Sequence, residues 1–139
     1  MLRYLTVPVT PFQQNASIVW CDATRQAAVI DPGGDLDTLL AAVEEHGLTL
    51  SQIWLTHAHI DHIGRLPELL SCGLTAPIYC SEATALLAPV MLADALRHSA
   101  GSQRSAIEPL LQRLGHLLRP LPFAQWQRLL LSDHSVLYF

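Results

Sequence analysis

Apolar positions alternate with polar ones through the first thirty residues and then repeat at helical spacing. "RYLTVPV" (residues 3–9), "ASIVWC" (16–21) and "AAVIDP" (27–32) are short, rich in β-branched side chains and bounded by turn residues, which predicts three strands. The first two are joined through residues 11–15, so the chain opens with an antiparallel pair. Pro32-Gly33-Gly34 breaks the alternation. Asp35 or Asp37 can then cap a helix through "TLLAAVEEHG", where Leu39, Leu40 and Val43 share one face and Gly47 stops the run.

"SQIWLTH" (51–57) reads as a buried strand, "IGRLPELLSCG" (63–73) as a short helix ending at Gly73, and "APIYC" (76–80) as a further strand. Ser81 opens a helix through "LLAPVMLADALR", which Pro89 is expected to kink or split. "IEPLLQRLGHLLR" (107–119) is amphipathic and stops at the prolines Pro120 and Pro122. "AQWQRLLL" and "SVLYF" suggest a hairpin turning at Ser132-Asp133-His134. Strands alternating with helices place the chain in the α/β class. No repeat, low-complexity tract or linker interrupts it.

Composition narrows the partners. The chain has 139 residues, half of them apolar, which suits one domain with a real core. Formal charge is −4, lysine is absent and the arginines are scattered singly, so no stripe for nucleic acid is expected. Cys21, Cys72 and Cys80 are odd in number and lack CxxC spacing, the pattern of free thiols in a reducing compartment. The N-terminus lacks the features of a signal peptide, and no apolar run approaches the ~18 residues of a membrane span. A cytoplasmic protein with no membrane association is the expectation.

The chemistry gathers in "THAHIDHIG" (56–64). His57, His59, Asp61 and His62 leave the end of a predicted strand, where the chain can curl them towards one point. Imidazole nitrogen with carboxylate oxygen suits zinc, and also iron or manganese. A histidine-rich surface loop is the plain alternative. Asp31 reads by itself as the turn residue of "DPGG". The other histidines have ordinary readings: His46 at a helix C-terminus, His98 following a helix beside "SAGSQRS", His116 inside a helix, His134 with Asp133 in a turn.

The HxHxDH pattern, with "AVIDPGG" before it, resembles the metallo-β-lactamase-fold hydrolases. That resemblance implies the α/β architecture of a four-layer αββα sandwich, of which this chain would supply approximately the first half. It further implies that His57 and His59 serve one metal and Asp61 and His62 the other, with one or two zinc ions bound. A water between the metals would lose a proton and attack the substrate, with Asp61 orienting the resulting hydroxide. Asp31 would lie beneath the ligands and orient them.

Two branches are visible. "VPVTPFQQNASIVWCDATRQAAVIDPGGD" and "LTLSQIWLTHAHIDH" resemble glyoxalase II-type enzymes, which hydrolyse thioesters such as hydroxyacylglutathione. "THAHIDHIGRLPELL", "APIYCSEATALLAPVMLADALR" and "LLRPLPFAQW" are similar to the β-CASP RNA-processing nucleases. Residues 1–139 therefore read as one truncated or chimeric half-domain, natural or engineered, whose resemblance changes near 56–64. Both branches place further metal ligands later in the chain than Phe139, so weak metal binding by a lone monomer is expected. The same incompleteness predicts a homodimer through the unfinished sheet. Three functions follow from the resemblance: thioester or ester hydrolysis, a self-associating half-domain with little activity, or a ribonuclease fragment.

Overall fold

The computed structural model describes residues 1–99, 104–127 and 137–138. Strands β1 (Leu2–Val9), β2 (Gln14–Cys21) and β3 (Gln26–Ile30) form an antiparallel meander. Three crossovers then add parallel strands. Helix α1 (Leu36–Glu45) leads to β4 (Thr49–Trp54), and α2 (Ile60–Ile63) with α3 (Leu66–Ser71) leads to β5 (Ile78–Ser81). The last crossover, α4 (Glu82–Ser99) and α5 (Arg104–Leu117), leads to β6 (Leu118–Leu121). The sheet order is β1-β2-β3-β4-β5-β6, and a separate ribbon pairs β7 (Trp126–Gln127) with β8 (Leu137–Tyr138). The expected α/β class is observed.

Alternation decides what each face buries. Val7, Val9, Ala16, Ile18, Ala27 and Val29 turn towards Leu39 and Ala42 of α1. Ile53, Leu55, Ile78 and Cys80 turn the same way and meet Leu66, Leu69 and Leu70 of α3, Leu92 of α4 and Leu114 of α5. The opposite face carries a smaller cluster in which Ala28 and Trp54 pack among Val19, Ile30, Tyr79 and Leu121, with no helix side chain among the described residues. Cys80 is fully buried, and burial pushes its thiol up to about 11, which fits an inert core residue. No described helix is long and apolar enough to cross a membrane.

Several local expectations are corrected by packing. Pro89 neither ends nor splits α4, which runs unbroken for 18 residues. Thr84 and Ala88 before it and Leu92 and Ala93 after it are buried, and this packing keeps both sides helical despite the missing amide proton. The amphipathic run expected to stay helical through Arg119 stops at Leu117, because residues 118–121 pair with β5 and place Pro120 on a sheet edge. Asp35 stands at the start of α1 but makes no side-chain cap; its carboxylate accepts the Thr10 N–H at 2.8 Å instead. The segment after the motif is one short helix, α3, as expected, while the motif itself carries the additional single turn α2. Ser81 does cap α4, accepting the Thr84 N–H at 3.2 Å. The turn expected at residues 132–134, and most of its hairpin, lies outside the described residues.

Candidate metal centre

The sheet changes from antiparallel to parallel at β3, and the segments leaving β3 and β4 run side by side at one edge. Such an edge, beyond the carboxyl ends of parallel strands, is where open α/β sheets collect their chemistry. Asp31 follows β3 and Thr56-His57 follows β4; the Asp31 N–H still donates to Trp54 O at 3.0 Å, so the ladder carries one step past the strands. Asp31 has a left-handed backbone (φ 51°), a conformation aspartate tolerates better than most residues. The turn it starts delivers Pro32 and Gly33 against α2.

That close approach depends on glycine. A Cβ on Gly33 would sit 1.5 Å from the carbonyl oxygen of Asp61 and 2.8 Å from the His62 amide nitrogen. One on Gly64 would lie 2.6 Å from Ile60 O and 3.1 Å from Gly33 O. Backbone therefore packs on backbone, and Arg65 N–H donates to Pro32 O at 3.0 Å to close the contact. The sequence marks these glycines as chain breakers; their partner is invisible until the turn and the motif meet.

The histidine rings converge above this support. His57 and His62 have ring centres 3.9 Å apart, and His57 and His59 meet edge to face at 4.7 Å. Asp61 Oδ2 lies 3.5 Å from His62 Nε2. Asp31, His57 and His62 each offer a ligand atom within 4.8 Å of the others. Asp31 is 4% exposed, and its carboxylate meets three donors: Thr56 N–H at 2.8 Å, the Thr56 hydroxyl at 2.6 Å and His62 Nδ1 at 3.1 Å. With its oxygens engaged this way, the carboxylate serves better as a support than as a ligand.

Gln14, at the start of β2, was not singled out by sequence pattern. Its amide nitrogen lies 3.3 Å from the Asp31 carbonyl oxygen, 3.1 Å from Asn15 O and 3.3 Å from His62 Nδ1. The remaining described histidines stand elsewhere. His46 stacks on Trp20 with ring centres 5.2 Å apart, His98 bonds the Asp94 carbonyl oxygen on α4, and His116 is exposed on α5. Asp133 and His134 lie outside the described residues.

The electrostatics suit a cation. Burial, and then the neighbouring His62 ring, hold the His57 pKa below the ordinary value, which favours the neutral imidazole that ligates metal. In the metal-free protein the unfolded chain thus takes up this proton before the native state does. The His57 contribution to stability is complete above 6.5 and is lost as pH falls from there through the depressed native value. Urea midpoints at about pH 7.5 and about pH 5.5 should fall further for the wild type than for His57→Gln; equal falls would remove His57 as the cause.

The sequence profile of the metallo-beta-lactamase superfamily matches residues 9–132. Hydroxyacylglutathione hydrolase GloC of Haemophilus influenzae is 48% identical over 63 residues, covering 45% of this chain and 29% of that protein. Ribonuclease TTHA0252 of Thermus thermophilus is 44% identical over 77 residues, covering 55% of this chain and 17% of that protein. The crystal structure of TTHA1623 in a di-iron-bound form superposes with a TM-score of 0.55 at 33% identity, covering 68% of this chain and 46% of that one. The chain thus spans less than a third of either relative's length. Both resemblances drawn from the motifs, to glyoxalase II-type enzymes and to RNA-processing nucleases, have a counterpart among these relatives.

Proposed function

Because the chain belongs to the metallo-beta-lactamase superfamily, we propose that its histidine cluster holds one or two metal ions and serves the hydrolysis of a thioester or small ester. The observation that supports this reading is the approach of His57 and His62 to each other over the buried Asp31 carboxylate, with His59 against His57 and Asp61 beside His62. The donor set suits zinc, and equally iron or manganese; TTHA1623, with its two irons, is a precedent for the second choice. A bound ion would supply Lewis acidity towards an acyl oxygen and towards water.

The chain's own residues have separable parts in this reading. His57, His59 and His62 offer imidazole nitrogens, while Asp31 holds its neighbours in place from below. Asp61 is half-buried and shares the mouth of the cluster with exposed His59, so its carboxylate is placed to take a proton from an attacking water. The thioester class rests on similarity to the glyoxalase-type hydrolase. Similarity to the ribonuclease supports RNA cleavage as a second reading, against which stand a net charge of −4 and the absence of lysine.

Turnover of a hydroxyacylglutathione thioester and of a single-stranded RNA, with zinc, iron or manganese supplied, separates the two. The expected result is metal-dependent thioester hydrolysis that drops roughly a hundredfold or more in His59→Ala. Metal-dependent RNA cleavage with the same loss moves the assignment to the second reading. Thioester hydrolysis that ignores both metal and His59→Ala overturns the site.

A further inference from the structure

The hydrogen atoms around Asp31 can be placed by counting donors and acceptors. A carboxylate only accepts, so the Thr56 hydroxyl, 2.6 Å from Asp31 Oδ2, spends its one proton there. His57 Nδ1 lies 2.8 Å from the same hydroxyl oxygen. With the Thr56 proton already committed, that nitrogen must be the donor. His57 is thereby an Nδ1–H tautomer, and its Nε2 carries the free lone pair.

The same oxygen treats the second ring alike. His62 Nδ1 is 3.1 Å from Asp31 Oδ2, which again requires an N–H on that nitrogen. The Gln14 amide cannot then donate to it across their 3.3 Å separation. Its two hydrogens have two other acceptors, Asn15 O at 3.1 Å and Asp31 O at 3.3 Å, while its buried Oε1 is left without a partner.

We propose that Thr56 is a positioning residue whose hydroxyl carries the Asp31 carboxylate's demand to His57, so that one oxygen, Asp31 Oδ2, sets the tautomers of both His57 and His62. The two rings are held directly in one case and through a single hydroxyl in the other. Both are left with Nε2 as the ligating nitrogen. The inference rests on the metal-centre reading for its purpose, but its physical content concerns the metal-free chain.

Nitrogen-15 spectra of histidine-labelled, metal-free protein, recorded above the histidine titration range, report which ring nitrogen is protonated. The wild type should show His57 and His62 both protonated at Nδ1. Thr56→Val, which keeps the shape and removes the hydroxyl, should return His57 towards the Nε2–H form that free histidine prefers and leave His62 unchanged. Thr56→Ser should restore the wild-type pattern, and Asp31→Asn should disturb both rings. Zinc affinity measured on the same proteins should fall roughly 10- to 100-fold in Thr56→Val and recover in Thr56→Ser.

Circular dichroism of each variant separates these shifts from unfolding, and Thr56→Ala, which also removes the hydroxyl, carries the test should the valine variant not fold. A wild-type His57 protonated at Nε2, or a His57 tautomer indifferent to loss of the hydroxyl, overturns the proposal. Tautomers as stated in a chain that never hydrolyses a thioester would count against the hydrolase reading alone.

Discussion

Replacing Gly33 with alanine is expected to displace the histidine-rich loop and lower the metal content of the protein. The added carbon would lie 1.5 Å from Asp61 O and 2.2 Å from Asp61 C, both backbone atoms of α2, which cannot rotate aside as a side chain could. Inserting one carbon into a packed interior usually costs about 1–3 kcal/mol, and an overlap with backbone belongs at or above the top of that range. Either α2 moves, carrying Asp61 and His62 with it, or the Pro32-Gly33 turn moves and takes Asp31 out of reach of Thr56.

Urea denaturation and metal content after dialysis measure the two consequences together. Gly115→Ala in α5 is the control, since a Cβ there meets nothing within 4 Å; it should be neutral or stabilising by up to about 1 kcal/mol. A Gly33→Ala protein with the wild-type midpoint and the wild-type metal content would refute the close packing of turn on motif.

Asp31→Ala is expected to cost about 2–4 kcal/mol in stability and roughly 10- to 100-fold in metal affinity. Three donors lose their acceptor at once: the Thr56 amide, the Thr56 hydroxyl and His62 Nδ1. The buried carboxylate is the acceptor that ties exposed Thr56 and half-buried His62 to the turn, and alanine is also poorly suited to the left-handed backbone there. Asp31→Asn divides the loss, because asparagine tolerates that backbone but turns an amide NH2 towards groups that are themselves donors. The asparagine variant should therefore recover part of the stability and little of the metal affinity. Full recovery of both would mean that the residue acts only through its backbone, as the turn residue of "DPGG".

How far the sequence could be read depended on how local the cause was. The meander was legible because β1 and β2 alternate buried with more exposed residues, and β3 is a short apolar run buried on both faces and bounded by turn residues. Strand β6 was not, since Leu118 and Arg119 continue an amphipathic helical pattern that Pro120 ends, and residues 118–121 become a strand only by pairing with Ile78 to Ser81. Pro89 shows the reverse case, a strong local signal outweighed by apolar contacts on both sides of it. The expected cap at Asp35 failed for the same reason: a backbone amide 25 residues away competed for its carboxylate.

The candidate site divides along the same line. Donor chemistry is a property of residue type and short spacing, so the sequence by itself determined that His57, His59, Asp61 and His62 would lie close together and what class of ion they could take. Only the tertiary structure decided what orients them. Asp31 reaches Thr56 across 25 positions, and Gln14 comes beside His62 across 48. Those distances close because β3 and β4 lie parallel and β2 lies antiparallel to β3, bringing the segments beyond their ends to a common edge. Ring orientation, proton placement and the glycine contact beneath α2 are set by groups that meet only when the sheet forms, and no pattern of neighbouring letters encodes such a meeting.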